Sequence, residues 1–277
     1  MAYKLFISSI IIITSTFTLS ANPASDGKGN QVIAHSHNDY EQDTPLFDAL
    51  SFNFRSIEAD VFPVGDSLFV AHEFSNVKPG RTLRGLYLNP LRDIIDKNNG
   101  SVYGDGKEVI LFIDIKADGL KTYKLLHKIL QNYKAFLSVV ENGVKTKRSI
   151  LVVVSGERPF GYMQAQTVRY TGFDGRLDNL DSGITPTLMP VVSDNWRNYF
   201  KWDGTGGMPP AEKEKLISLS GEAREKGYLL RFWGTPNRSE KQRHAIWHEL
   251  IKAGVGIIGT DNLKDLHSYL VSARKRQ

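Results

Sequence analysis

Four apolar runs in this chain end on two side chains spaced two residues apart. His35 and His37 follow Val32-Ile33-Ala34, and Glu58 and Asp60 follow Arg55-Ser56-Ile57. Asp114 and Lys116 close the run that begins at Val109, and Arg231 and Trp233 follow Tyr228-Leu229-Leu230. Residues i and i+2 of a strand face the same side, so each pair delivers two side chains to one place. Three carboxylates, two imidazoles, an ammonium and a guanidinium converging there have the composition of a metal-assisted phosphate site. A packed core has no use for so many charges. The competing explanation is coincidence, with four unrelated pairs on exposed strand ends.

The elements that would position these pairs recur regularly. Strand-like runs lie at 31–35, 55–62, 109–116, 150–155, 167–171, 185–192, 228–233 and 256–260. Helical patterns intervene at 44–52, 88–97, 120–137, 211–226 and 240–253, and one at 262–273 closes the chain. Leu120, Tyr123, Leu130 and Tyr133 keep helical spacing, and Asn262 is placed to cap the last helix. Eight strands alternating with helices predict an α/β fold, a (β/α)8 TIM barrel whose chemistry sits at the carboxyl ends of its strands. All four pairs lie at such ends, as does Thr260-Asp261 after the eighth run. Helices are poorly marked between the fourth and sixth strands, so an irregular second half is expected. Gly65-Asp66-Ser67 separates 61–64 from 68–71 and predicts a hairpin inserted after the second strand. That hairpin would return Ala71-His72-Glu73 to the mouth. The alternative architecture, an open doubly wound sheet, usually carries a glycine-rich first turn, and His35-Ser36-His37-Asn38-Asp39 is not one.

Bulk properties agree with a barrel. A chain of 277 residues fits the ~250 typical of that fold. A hydrophobic content of 41% and a charged content of 23% are ordinary for a globular protein. The net charge of +5 is mild, and only Arg274-Lys275-Arg276 forms a basic cluster, so nucleic acid is not an expected partner. The absence of cysteine excludes disulfides, a thiol nucleophile and thiolate metal sites. Residues 1–21 read as a secretory signal peptide: Lys4, then an apolar stretch holding Ile10-Ile11-Ile12-Ile13, then the small residues Thr18, Ser20 and Ala21. Export to the periplasm or medium is therefore expected. Residues 22–30 read as a flexible leader, and 31–277 as a single barrel domain.

At this point the motifs become specific. Ile33-Ala34-His35-Ser36-His37-Asn38-Asp39-Tyr40, Ser56-Ile57-Glu58-Ala59-Asp60-Val61 and Val70-Ala71-His72-Glu73 together resemble the PLC-like phosphodiesterase superfamily. That group includes glycerophosphodiester phosphodiesterases, phosphatidylinositol-specific phospholipases C and sphingomyelinases D, and it shares the order His…Glu-x-Asp…His. Ser36-His37-Asn38-Asp39-Tyr40 is similar to the phospholipase C motif, in which the histidine is catalytic and the asparagine binds the metal. Ile33-Ala34-His35 is similar to the glycerophosphodiesterase motif, with Ser36 in place of its arginine. Asp114-Ile115-Lys116 resembles the sphingomyelinase D pattern.

The resemblance implies a metal-dependent phosphoric diester hydrolase acting on a glycerophosphodiester, a phosphoinositide or a related phospholipid head group. Residue chemistry agrees. A phosphodiester needs a Lewis acid, added positive charge, and an acid opposite a base. Glu58, Asp60 and Asp114 are hard oxygen ligands for one Mg²⁺ or Ca²⁺, with Asn38 as a fourth. Lys116 and Arg231 are placed to hold phosphate, and Trp233 to stack on a head group or simply to pack. His37, with His35 as its rival, and His72 form the acid–base pair. A small or lipid-derived diester with transient membrane-surface contact is the expected partner. Two rivals remain: a dinuclear metallohydrolase of the amidohydrolase or polymerase-histidinol phosphatase type, and a non-catalytic binder of phosphorylated ligands. The former needs further histidine ligands, but His127, His244, His248 and His267 all fall on expected helices. His244 and His248, one turn apart, read as surface or packing residues. Glu157-Arg158 would border the site.

Overall fold

A computed structural model describes residues 32–275. The expected signal segment, the leader and Gln31 lie outside the described residues. Twelve strands follow in chain order: β1 Ile33–Ser36, β2 Ser56–Val64, β3 Ser67–Val70, β4 Val109–Ile115, β5 Val139–Glu141, β6 Val144–Thr146, β7 Ile150–Gly156, β8 Val168–Arg169, β9 Thr171–Gly175, β10 Val191–Asn195, β11 Leu229–Trp233 and β12 Ile257–Thr260. Eight of them pair in parallel in the order β1-β12-β11-β10-β9-β7-β4-β2. The barrel closes where β1 meets β2, with His35 opposite Ser56 and Ser36 opposite Ile57. β3 turns back antiparallel along β2, the hairpin expected from Gly65-Asp66-Ser67.

Alternation along each strand divides the core in two. Ile110 and Phe112 of β4, Leu151 and Val153 of β7, Val191 of β10 and Ile257 of β12 form an apolar plug, joined by Ile33 and Leu229. Continuing upward by twos on the same face, these strands present Asp114, Ser155, Ser193, Arg231 and His35. The intervening residues, such as Ala59, Leu111, Ile113, Val152, Val154, Leu230 and Ile258, join the larger cluster under the helices. With both faces covered, parallel strands read as nearly continuous apolar runs. A fully buried side chain such as Phe112 contributes on the order of 1.5–3 kcal/mol. The plug therefore stabilises the barrel and leaves its upper layer for polar groups.

Most expected elements fall within a few residues of their predicted ends. The helix at Glu240–Ala253 matches as read, with Ser239 capping it, and Asn262 caps the helix Leu263–Arg274. Two strands need correction. The fifth barrel strand is Thr171–Gly175 rather than 167–171, because Val168–Arg169 is captured by a small side sheet with β5 and β6. The sixth is Val191–Asn195 rather than 185–192. Pro186 and Pro190 carry no N–H for a ladder, and Leu188 and Met189 donate instead to the Thr185 carbonyl in a turn. Between β9 and β10 the chain makes only the short 3₁₀ turn Leu177–Asn179, the irregular arc expected there. The helix expected over 120–137 stops at Leu130.

Candidate active site

The upper layer begins with His35, which is fully buried. Its Nδ1 lies 2.7 Å from Ser56 Oγ, and its Nε2 lies 2.8 Å from Arg231 Nη1 and 3.2 Å from Glu58 Oε2. The His35 ring stacks edge-on against Phe112 with centroids 5.1 Å apart, and the Arg231 guanidinium sits 4.6 Å above the Phe112 ring. Burial, and then the Arg231 charge, push the His35 pKa down to about 4, so the ring is neutral at physiological pH. Both nitrogens are occupied by protein groups.

Glu58, Asp60 and Asp114 gather beside it. Each offers one oxygen, and the three lie within 4.8 Å of one another. Burial opposes ionisation of Glu58, but the His35 hydrogen bond and the Arg231 charge outweigh it and hold its carboxyl well below the usual range. Burial raises the Asp114 pKa to about 6; Asp60 and Glu58 add to this, against the pull of Lys116. Crowded like charges of this kind are relieved by a cation. The fit to a hard divalent ion rests on Asp60. Its Oδ2 takes hydrogen bonds from Tyr40 (2.7 Å) and Lys116 (2.8 Å), whereas its Oδ1 is buried with no partner. An orphaned carboxylate oxygen on a residue grouped with two other carboxylates suits Mg²⁺ or Ca²⁺. Gly156 at the end of β7 makes room for the third member. Its φ is +69°, and a Cβ there would stand 2.0 Å from Asp114 Oδ1.

The loop after β1 carries His37, Asn38 and Tyr40, and buried Asp39 fixes it. Asp39 accepts from Ser36 Oγ (2.8 Å), the Leu46 amide (2.6 Å) and Tyr87 OH (3.0 Å). Asn38 takes the left-handed conformation at φ 47°, which asparagine tolerates. Its Oδ1 lies 3.0 Å from Tyr40 OH, so the expected fourth ligand reaches Asp60 through that phenol. Burial and then Asp60 push the Tyr40 pKa up strongly, which keeps the phenol a donor. Tyr40→Phe is expected to weaken divalent-cation affinity by ~10–100-fold, as loss of an outer hydrogen-bond partner does, with folding retained. Calorimetric titration of the variant with Mg²⁺ checks this.

His37 and His72 share one arrangement. His37 Nδ1 lies 2.6 Å from Asp261 Oδ1, its Nε2 lies 3.9 Å from Glu58 Oε2, and its side chain is 42% exposed. His72 Nδ1 lies 3.1 Å from Asp60 Oδ2, its side chain is 49% exposed, and its Nε2 has no protein partner among the described residues. Burial lowers the His37 pKa, but the Asp261 bond and Glu58 outweigh it and raise the net value. Lys116 Nζ also lies 3.4 Å from Asp114, and Arg231 Nη1 lies 3.9 Å from Glu58 Oε2. Trp233, 39% exposed, lines an open pocket with His35, His37, Arg231 and Asp261. All ten residues singled out in the sequence therefore come to one mouth.

Three groups there were not assigned from sequence. Tyr40 is one. Asp174 of β9 is another: it is buried, bonded by Ser193, and lies 3.6 Å from Arg231 Nη2. Arg176 is the third, its Nη1 lying 3.4 Å from Asp174 Oδ2. Asp174 and Arg176 repeat the spacing-of-two pattern at a strand end, the signal that finds them. The remaining histidines stay outside. His127, His244, His248 and His267 lie on helices, and none joins the carboxylate trio. His244 does approach Glu240 and Asp265, but Arg243 already holds Asp265 through two hydrogen bonds of 2.8 and 2.6 Å.

Comparison with known proteins places this geometry in context. Residues 28–174 match the AIM6-like phosphodiesterase domain, a span holding all three carboxylates, Lys116 and the three mouth histidines. The chain is 29% identical to the altered inheritance of mitochondria protein 6 homolog of Arthroderma benhamiae, over 95% of this chain and 92% of that protein. It is likewise 29% identical to altered inheritance of mitochondria protein 6 of Eremothecium gossypii, over 83% of this chain and 67% of that protein. A glycerophosphoryl diester phosphodiesterase from Parabacteroides distasonis shares the fold, with a TM-score of 0.50 at 13% identity, covering 87% of this chain and 86% of its own.

Proposed function

This chain belongs to the AIM6-like phosphodiesterase family and has the PLC-like barrel fold, and from that premise we propose that it hydrolyses a phosphodiester at the mouth just described. The observation that carries the reading is the pair His37 and His72. Both are half-exposed and both have Nδ1 tied to a carboxylate, with the carboxylate trio between them. An Nδ1 anchor fixes the ring and leaves Nε2 to exchange protons. His37 takes the proton of the attacking oxygen, from water or from a neighbouring substrate hydroxyl. The phosphorus–oxygen bond to the leaving alcohol breaks, and His72 returns a proton to that oxygen. Lys116 and Arg231 hold the phosphoryl oxygens, and His35 stays neutral and orients Glu58 and Arg231. Glu58, Asp60 and Asp114 would hold the divalent cation, which would supply Lewis-acid chemistry to the phosphoryl group.

The substrate proposed is a glycerophosphodiester, a phosphoinositide or a related phospholipid head group, with Trp233 against its organic part. Screening the protein with Mg²⁺ or Ca²⁺ against glycerophosphodiesters, phosphatidylinositol, sphingomyelin and lysophospholipids tests this. Hydrolysis of at least one class is expected, and binding without turnover of any would favour a phospho-ligand binder. A dinuclear metallohydrolase is disfavoured because no histidine from a later strand meets the trio among the described residues. Export is proposed from residues 1–21 alone. Sequencing the amino terminus of protein recovered outside the cytoplasm should find the chain cut near residue 21, and an intact start would contradict it. Among the described residues no helix is long and apolar enough to cross a membrane.

A further inference from the structure

Beside the carboxylate trio, on the side of β7 and β9, lie two guanidiniums that the hydrolytic scheme does not use. Arg158 follows the end of β7, and Arg176 follows the end of β9, the neighbouring strand. Arg158 has no carboxylate within ion-pair distance among the described residues, and its one side-chain hydrogen bond there runs from Nη1 to the Gly156 carbonyl (3.1 Å). Arg176 likewise uses only Nη1, toward Asp174, the Gly175 carbonyl and the Ser193 carbonyl. Among the described residues each therefore keeps its Nε and Nη2 without an acceptor, the edge that binds an oxyanion in bidentate fashion. Because β7 and β9 run in parallel, the two residues stand just past neighbouring strand ends. Burial lowers the Arg158 pKa and the Arg176 charge lowers it further, with Asp174 and Asp114 opposing.

The segment holding Arg158 is pinned. The Glu157 amide donates to the Ile115 carbonyl at 2.9 Å, and its carboxylate accepts from the Gly119 amide at 3.1 Å. A Cβ on Gly119 would stand 2.2 Å from the Glu157 carbonyl oxygen, so only glycine permits this approach.

We propose that Arg158 and Arg176 form a second anion subsite, which takes a phosphomonoester carried on the same substrate molecule as the scissile diester. This rests on the phosphodiesterase reading for its link to turnover, but its binding test does not. The probes are glycerol 3-phosphate and glycerol 1,3-bisphosphate, titrated calorimetrically with Mg²⁺ in excess. The native protein should bind the bisphosphate about tenfold or more tightly than the monophosphate, a gain typical of one added charge-assisted contact. Arg158→Gln should reduce that preference to about twofold or less while leaving the affinity for Mg²⁺ alone unchanged, and Arg158→Lys should restore part of it. Lys264→Gln, which removes an equal charge from an exposed helix position, should leave the preference intact. Equal affinity for the two probes, an undiminished preference in Arg158→Gln, or an equal loss in Lys264→Gln would overturn the subsite. Bisphosphate preference in a protein that cleaves no diester would leave the subsite standing and remove the hydrolytic reading instead.

Discussion

Asp60→Asn is expected to abolish divalent-cation binding and to cut phosphodiester turnover by more than the ~10–100-fold that loss of an outer metal partner costs. Asp60 is the hinge of the site. One of its oxygens already serves Tyr40, Lys116 and His72, and the other is buried without a hydrogen-bond partner among the described residues. An amide keeps the shape but removes the charge, and its NH₂ would meet either Lys116 or the orphaned position. In the first orientation the lysine would be left with Asp114 alone, at 3.4 Å. Calorimetry with Mg²⁺ and Ca²⁺ and turnover on the same preparation give the answer, and a melting curve separates loss of function from loss of fold. Normal cation affinity in Asp60→Asn would remove the trio from its proposed role.

His37→Ala and His72→Ala should each lower kcat by ~10²-fold or more, the usual cost of losing a general acid or base, with little change in cation affinity for His37→Ala. His35→Ala should behave differently. That ring is fully buried and held by Ser56, Glu58 and Arg231, so its removal acts through cation affinity or folding. Asp261→Asn provides a further check, because the Nδ1 anchor of His37 depends on it. If His37→Ala turned over normally while His35→Ala was inactive with its cation still bound, the two histidines would exchange roles. The similarity of Ile33-Ala34-His35 to the glycerophosphodiesterase motif would then be the better guide.

Much of this was legible in the chain because the barrel interior obeys a period of two. Phe112 and Asp114, or Leu229 and Arg231, announce on one strand both the apolar plug and the polar layer above it. The hairpin was legible from Gly65-Asp66-Ser67, and the burial of His35 from its place one pleat below His37. What escaped lay where local signals compete. Val168 and Arg169 are as strand-like as Phe173, and only the pairing of Val140 with Arg169 in the side sheet decides between them. Misplacing that strand hid Asp174 and Arg176. Tyr40 escaped for another reason: a tyrosine in a loop carries no spacing signal, and its contact with Asp60 spans 20 residues of sequence.

The central claim, a divalent cation held by Glu58, Asp60 and Asp114 and required for phosphodiester hydrolysis, is tested most directly by turnover after exhaustive chelation. The best diester from the substrate screen is the reporter, assayed on the native protein before chelation, after it, and after adding back single cations. Activity should vanish on chelation and return with Mg²⁺ or Ca²⁺. Undiminished turnover in the chelated protein, or recovery with zinc alone, would contradict the account.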